Sequence, residues 1–303
     1  MPETVWINGK FVGREEARVS AFDAGFQHGV GLFETMLATG SGVQNADRHM
    51  ARLRDSARGL GLSEDLRVGA LREACEHVAS ESGLTKGGGR ARVRLTVTGG
   101  DLNMLSRGEG APPPLVDPTV MIVAQAAPAY PPAMFGQGVG VTIARFRANP
   151  LDPFAGHKTL NYWARLNELR VAAAKHAAEA IVLQVTNHIA GGCVSNLFAV
   201  VGGRLVTPIA RGEEHADAVP SPVLPGITRG SVISFAQEKR MGVEARMMSI
   251  TDVLDADEVF LTNSSWGVLP VVRIEDKAIG SGMPGAVTRE IRGMWEESII
   301  GHP

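Results

Sequence analysis

The sequence predicts an α/β protein built as two domains, and three observations carry that expectation. The chain has 303 residues, 44% of them apolar, which is enough for one large core or two modest ones. Strand-period and helix-period patterns alternate along it. A proline-rich run, Ala127-Pro128-Ala129-Tyr130-Pro131-Pro132-Ala133, interrupts regular structure near the middle. The expected boundaries are residues 1–126 for a smaller N-terminal α/β domain, 127–136 for an interdomain linker, and 137–303 for a larger C-terminal domain.

The elements follow in order. Val5 to Val12 reads as a hairpin, because Asn8-Gly9 favours a type I′ turn. Gly31 to Leu37 reads as a strand. Asp47 is positioned to N-cap a helix running to Leu60 and ended by Gly61, with Met50, Leu53, Ala57 and Leu60 at helical spacing. A second helix is expected from Glu64 to Ser82, and strands over 92–98 and 119–125. Beyond the proline-rich run come a strand over 139–144, a long helix from Asn161 to Ala177, and strands over 180–184, 197–201 and 205–206. A helix from Thr228 to Arg240 is stopped by Gly242. A strand near 258–262, a hairpin near 271–279 and a helix from Gly285 to Ile299 complete the chain. Arg211 to Asp217 is a charged insertion, read as a solvated loop.

Composition excludes several classes. The net charge of −2 carries no Lys/Arg block, so neither nucleic acid nor an anionic membrane surface is an expected partner. Met1-Pro2-Glu3-Thr4 has no signal-peptide pattern, and no apolar run nears the roughly 20 residues of a membrane span. Cys75 and Cys193 do not form a disulfide framework. A cytoplasmic protein is expected. No Cys-x-x-Cys, His-Glu-x-x-His or Gly-x-Ser-x-Gly pattern occurs, so no metal site is expected. Gly29-Val30-Gly31 and Gly136 to Gly140 read as turns.

Four constellations remain. Only six lysines occur, and Lys158, in Pro153-Phe154-Ala155-Gly156-His157-Lys158-Thr159-Leu160-Asn161-Tyr162, is the one without a plain surface setting. Two readings of it stand at this point. Desolvated at the head of a helix, its amine is a nucleophile toward an aldehyde; otherwise it snorkels. Leu224-Pro225-Gly226-Ile227-Thr228-Arg229 opens a helix with amides and a hydroxyl suited to phosphate, or is an ordinary loop-to-helix joint. Arg52, in Arg48-His49-Met50-Ala51-Arg52-Leu53, flanks the apolar stripe of its helix and is either a phosphate fork or a surface arginine. Thr262-Asn263-Ser264-Ser265-Trp266-Gly267 offers donors after a strand, or is a polar turn.

Taken together and in this order, these blocks resemble the class IV aminotransferases, the fold-type IV pyridoxal-phosphate enzymes that include branched-chain and D-amino acid aminotransferases and aminodeoxychorismate lyase. The resemblance also takes in Asp23 to Thr35, His49 to Ser56, and Gly192-Cys193-Val194-Ser195-Asn196-Leu197-Phe198, and it covers almost the whole chain. It implies a two-domain fold-type IV enzyme binding pyridoxal 5′-phosphate between its domains, and a homodimer. It implies that Lys158 forms the internal aldimine and moves the proton between Cα and C4′. Arg52, the Ile227 and Thr228 amides with the Thr228 hydroxyl, and Ser264 then form the phosphate cup. Tyr162 falls where a family tyrosine bonds the phenolic oxygen, and Asn196 closes the motif beside the cofactor. Phe33 and Glu34 line the substrate pocket, and the Ser265 and Trp266 amides receive the substrate carboxylate. The implied activity moves an amino group between an L-amino acid, branched-chain among the candidates, and a 2-oxo acid. Aminodeoxychorismate lyase and a cofactor-binding protein with weak or no turnover are the alternatives.

The chain departs from the family pattern at Gly191. The family writes Glu-Gly-x-x-Ser-Asn, with the acid facing the pyridine nitrogen, whereas this chain writes Gly191-Gly192-Cys193-Val194-Ser195-Asn196. Without that carboxylate the ring stabilises negative charge less well, so transamination is expected to be slow or altered in course. His28 stands where a tyrosine is frequent. Thr96 to Asp101 lacks the Arg-x-His pair of the D-amino acid enzymes, with Arg107 a candidate replacement charge.

Overall fold

The computed structural model describes residues 5–101 and 118–300. Its chain divides into two compact units. One comprises residues 1–128 together with 158–161, and the other residues 129–157 and 162–303.

The first unit is a six-stranded antiparallel sheet with helices on one face. The strands β1 (Val5–Ile7) and β2 (Lys10–Val12) form the expected hairpin, and Asn8 (φ 45°) and Gly9 (φ 89°) both take the left-handed conformation a type I′ turn requires. A short helix α1 (Ala24–His28) follows, capped by Asp23, whose carboxylate accepts from Gly25 N at 2.7 Å. Then come β3 (Gly31–Thr39), β4 (Gly42–Val43), the helices α2 (Ala46–Gly59) and α3 (Val68–Glu81), and the strands β5 (Ala91–Thr98) and β6 (Val120–Ala126). The order across the sheet is β2-β1-β6-β5-β3-β4. Met50, Leu53 and Ala57 of α2 and Leu71, Cys75 and Val78 of α3 bury against Leu32, Met36, Val93 and Leu95.

Two helix starts differ from expectation. Helix α2 begins after Asn45, not Asp47, and has no side-chain cap. Asp47 lies inside the first turn, where it meets the positive end of the helix dipole and pairs with Arg72 at 3.0 Å. Helix α3 begins at Val68, not Glu64, because the preceding residues wrap the end of α2. Leu62 N donates to Ala57 O, and Arg58 Nε donates to Glu64 O at 2.9 Å.

The second unit is a nine-stranded mixed sheet. Its elements are α4 (Ala133–Gly136), β7 (Val139–Ala148), α5 (Trp163–Ala174), β8 (Glu179–Gln184), β9 (Ile189–Gly192), β10 (Asn196–Val201), β11 (Arg204–Thr207), α6 (Ile227–Glu238), β12 (Val243–Ala245), α7 (Ile250–Leu254), β13 (Glu258–Asn263), β14 (Gly267–Ile274), β15 (Lys277–Ala278) and α8 (Ala286–Ile300). The order is β12-β11-β10-β13-β14-β7-β8-β9, with β15 on β14. The pairs β14–β7, β7–β8 and β11–β12 are parallel. Strands β8, β10 and β13 are nearly continuous apolar runs because both faces are covered.

Residues 127–136 are not a linker. Residues 129–136 belong to the second unit, where Tyr130, Met134 and Phe135 pack on the core containing Ile181, Leu197 and Leu269. Proline-rich composition signalled the break in regular structure, but its aromatic residues still bury. Lys158 does not head a helix either. Helix α5 begins at Trp163, and residues 158–160 lie extended along β3.

Phe198 and Phe260 are fully buried on paired strands and stack with ring centroids 5.1 Å apart. Phe198→Ala should destabilise the protein by about 3–5 kcal/mol. Urea unfolding would check this, and a loss below about 1 kcal/mol would contradict the packing described.

Candidate active site

Strand β3 alternates, so neighbouring residues face opposite sides. Glu34 turns toward α2. It is 1% exposed, and its carboxylate is fully engaged: Arg52 Nε donates to Oε1 at 2.8 Å, Arg52 Nη2 to Oε2 at 2.5 Å, and His49 Nδ1 to Oε2 at 2.7 Å. Burial alone would raise the Glu34 pKa, but Arg52 and His49 outweigh it and hold the pKa at about 2. Burial lowers the His49 pKa against the pull of Glu34, aided by the positive charges of Arg52 and Lys158. His49 is therefore neutral at pH 7, with Nδ1–H as the donor. Glu34, expected to line the substrate pocket, fixes Arg52.

Phe33 takes the other side of β3. The Lys158 Nζ stands 4.3 Å from its ring centroid and the Arg94 guanidinium carbon 3.8 Å. The backbone holds Lys158 in register with the same strand. Phe33 N donates to Lys158 O, Leu160 N donates to Gly31 O, and Leu32 bridges Thr159. Gly31 is required here, since a Cβ would lie 2.6 Å from Val97 O and 2.7 Å from Leu160 Cδ1. The structure thus brings together Phe33, Glu34, Arg52 and Lys158 within the first unit.

In the second unit, α6 starts at Ile227 after Gly226 and has no side-chain cap. Thr228 is 5% exposed. Asn196 Nδ2 donates to Leu224 O at 2.8 Å, and its Oδ1 would lie 1.8 Å from a Cβ at Gly226, so only glycine lets the loop approach. Asn196 therefore shapes the loop that leads into the helix. Arg229 anchors that helix from behind. It is buried, forks onto Glu213 at 2.6 and 2.7 Å, and donates to Thr207 Oγ1 and Pro208 O. Glu213 belongs to the segment Arg211 to Asp217, which is therefore more than a solvated loop.

Ser264 and Ser265 are half-buried in the turn after β13. The Ser265 and Trp266 amides both donate to Asn263 Oδ1, at 2.9 and 3.0 Å, so the donors expected to receive a substrate carboxylate are engaged within the turn. Ser265 Oγ meets Tyr130 Oη at 2.8 Å. Tyr162 is half-buried at the residue before α5. His28 is exposed at the end of α1, and Arg107 lies outside the described residues, as do Met1 to Thr4.

Gly191 is buried with φ 124°, and a Cβ there would lie 2.9 Å from Ser195 O. Gly191 thus holds a backbone that L side chains rarely adopt, and Gly191→Glu would have to move the turn. Sequence reasoning missed Glu179, which is fully buried. Its Oε1 accepts from Ala180 N and Cys193 N, and its Oε2 from Val194 N and Ser195 Oγ. Burial raises its pKa against those four donors. The signal available was an acid opening the apolar run Glu179-Ala180-Ile181-Val182-Leu183.

The start of α6 offers backbone donors with no acid in its first turn, chemistry suited to an anionic group, and the first unit holds Lys158 in register with β3. The model of the class IV aminotransferases matches residues 31–274, and the chain belongs to that family. It is 31% identical over 295 residues to the branched-chain-amino-acid aminotransferase of Salmonella typhimurium, covering 95% of this chain and 90% of that protein. Among solved structures it resembles the Escherichia coli branched-chain amino acid aminotransferase (TM-score 0.84, 29% identity, 98% and 94% of the two chains). It also resembles the T.th. branched-chain amino acid aminotransferase with pyridoxamine 5′-phosphate (TM-score 0.82, 28% identity, 99% and 94%). The 4-amino-4-deoxychorismate lyase of Pseudomonas aeruginosa is similar as well (TM-score 0.79, 29% identity, 97% and 98%). Class IV aminotransferases depend on pyridoxal 5′-phosphate. The residues present are chemically suited to it: the uncapped start of α6 and the Thr228 hydroxyl are donors that would suit a phosphate, and Lys158 is an amine that would suit an aldehyde.

The Glu34 pKa falls from 4.5 to about 2 on folding, so its contribution to stability is complete above about pH 4.5 and is lost as the pH drops toward 2. The His49 pKa is lowered from 6.5, so the unfolded chain binds that proton first, and stability already declines as the pH falls below 6.5. Urea midpoints of the wild type should therefore fall from about pH 6.5 downward. Glu34→Ala, which removes the buried carboxylate that Arg52 and His49 meet, should cost about 3–5 kcal/mol at pH 7. A variant as stable as the wild type would refute the pairing.

Proposed function

We propose that this chain is an aminotransferase that uses Lys158 to exchange an amino group between an L-amino acid with a branched apolar side chain and a 2-oxo acid. The observation that carries the reading is the seating of Lys158, tied by backbone hydrogen bonds to β3 beside Phe33 while the next residue of that strand, Glu34, fixes Arg52. The likeness to branched-chain enzymes supports the substrate class.

When bound, pyridoxal phosphate supplies an electron sink that acidifies the substrate's Cα–H. The protein supplies the rest. Arg52 neutralises phosphate charge, in an orientation set by Glu34. The Ile227 and Thr228 amides, the Thr228 hydroxyl and Ser264 would donate to the phosphate, Asn196 holds the loop before them, and Tyr162 would donate to the phenolic oxygen. Lys158 Nζ would hold the cofactor through its aldehyde carbon with loss of water and, once the substrate's amino group had displaced it, would as a free amine move the proton between Cα and C4′. Phe33 presents an apolar face to the side chain of the substrate.

A lyase reading is favoured only by the likeness to 4-amino-4-deoxychorismate lyase. Absorbance decides among these readings. Protein loaded with pyridoxal phosphate should show a visible band that shifts with L-leucine or L-valine and is restored by 2-oxoglutarate. Lys158→Ala should abolish borohydride trapping and lower turnover by at least about 10²-fold. An unshifted band across an amino-acid panel would end the aminotransferase reading. Pyruvate release from aminodeoxychorismate without an acceptor would establish the lyase.

The reading includes a homodimer. In the second unit Leu151, Phe154, Trp163 and Leu166 leave large apolar side chains in solvent, Trp163 at 84% exposure. Light scattering should give about twice the 32.1 kDa chain mass; a monomer at micromolar concentration would contradict it.

A further inference from the structure

The turn after Gly191 is polarised between two charged residues. The peptide unit joining Gly192 and Cys193 gives its N–H to Glu179 Oε1 at 3.2 Å, and its carbonyl accepts from Arg165 Nη1 at 3.3 Å. The next unit, joining Cys193 and Val194, gives its N–H to Glu179 Oε2 at 3.1 Å, and its carbonyl accepts from the same Arg165 nitrogen at 2.9 Å. Two peptide dipoles thus align between a buried carboxylate and a guanidinium. Arg165 is drawn onto the carbonyl side of the turn, directly after the residue where the family's acid is missing.

Arg165 has donors to spare. Its hydrogen bonds run through Nη1 alone, and among the described residues Nε and Nη2 have no acceptor and no carboxylate pairs with it. Its neighbours in charge are already committed. Glu168, three residues along α5, is held by Arg145 at 2.9 and 3.0 Å. Glu179 is fully buried, with both oxygens doubly filled, so it has no lone pair to offer in place of the lost acid. The guanidinium carbon lies 5.7 Å from the ring centroid of Tyr162, the residue assigned above to the cofactor's phenolic oxygen.

We propose that Arg165 meets the pyridine nitrogen of the bound cofactor in place of the carboxylate absent at Gly191, donating an N–H to a nitrogen that carries no proton. This rests on the cofactor assignment under the proposed function. The chemistry follows from charge. A carboxylate beside that nitrogen holds a proton on it, whereas a guanidinium, always protonated, leaves only the lone pair as a favourable partner. The ring then withdraws less charge, so more of the burden of stabilising the reacting carbon falls on the protein.

The test is nitrogen NMR on the full-length protein loaded with pyridoxal phosphate labelled with ¹⁵N in the ring. In the wild type the resonance should stay at the unprotonated position from about pH 6 to about pH 9. Arg165→Lys should keep it there. Arg165→Gln should make the nitrogen titrate, with the protonated signal emerging toward the acid end. A protonated nitrogen in the wild type overturns the proposal whether or not Arg165→Gln folds, and so does an Arg165→Gln protein whose resonance matches the wild type at every pH. Failure of the cofactor assignment looks different: no visible band forms on loading and no borohydride-trapped adduct is found.

Discussion

A carboxylate buried to 1% exposure is costly to hold ionised, and Glu34 is stable only because three donors meet it. That requirement organises much of the first unit. It fixes the rotation of α2, since His49 and Arg52, three residues apart, must face one strand position. It fixes the register of β3, since a slip of one residue would carry Glu34 to the side that Phe33 now occupies. The same strand then sets the position of Lys158 through backbone bonds at Gly31 and Phe33. One ion cluster thereby aligns an arginine, an aromatic ring and a lysine that lie far apart in sequence.

The second unit solves a similar problem with peptide groups. Glu179 is satisfied mainly by backbone amides of the turn it supports, and Arg229 by carbonyl, hydroxyl and carboxylate oxygens. One braces the turn after Gly191, the other the start of α6. Charged groups buried in this way set backbone direction more than they add net stability. Gly226 and Gly191 mark two places where the backbone admits no ordinary side chain, one through close approach and one through a positive φ.

Local signals made much of the fold legible. The Asn8-Gly9 turn, the Met50, Leu53 and Ala57 stripe, and the apolar run of β8 each depend on a few neighbouring residues, and each is found where the sequence places it. Within the candidate site, the glycine before α6 was legible because a short motif carries it, and its close approach to Asn196 is found where the motif places it. What stayed hidden depends on distant partners. The pairing of Glu34 with Arg52 and His49 spans an intervening loop. Arg165 carried no sequence signal because its acceptors are carbonyls, which every sequence has. The amides of Ser265 and Trp266 looked available because the side chain of Asn263 that caps them has other rotamers open to it. The proline-rich run looked like a linker because composition reports backbone irregularity and not what its aromatic rings touch.

The placement of residues 158–160 along β3 also bears on modularity. The first unit is a domain in space but not in sequence. Cut out as residues 1–128, it would leave the outer margin of β3 bare near Gly31 and Phe33, with a carbonyl and an amide seeking partners. An unpaired strand margin is a template for another chain. The lysine segment therefore also guards against self-association by that route. Exchange of the N-terminal part between relatives would have to carry these few residues along, so Lys158 is inherited with the sheet it seals.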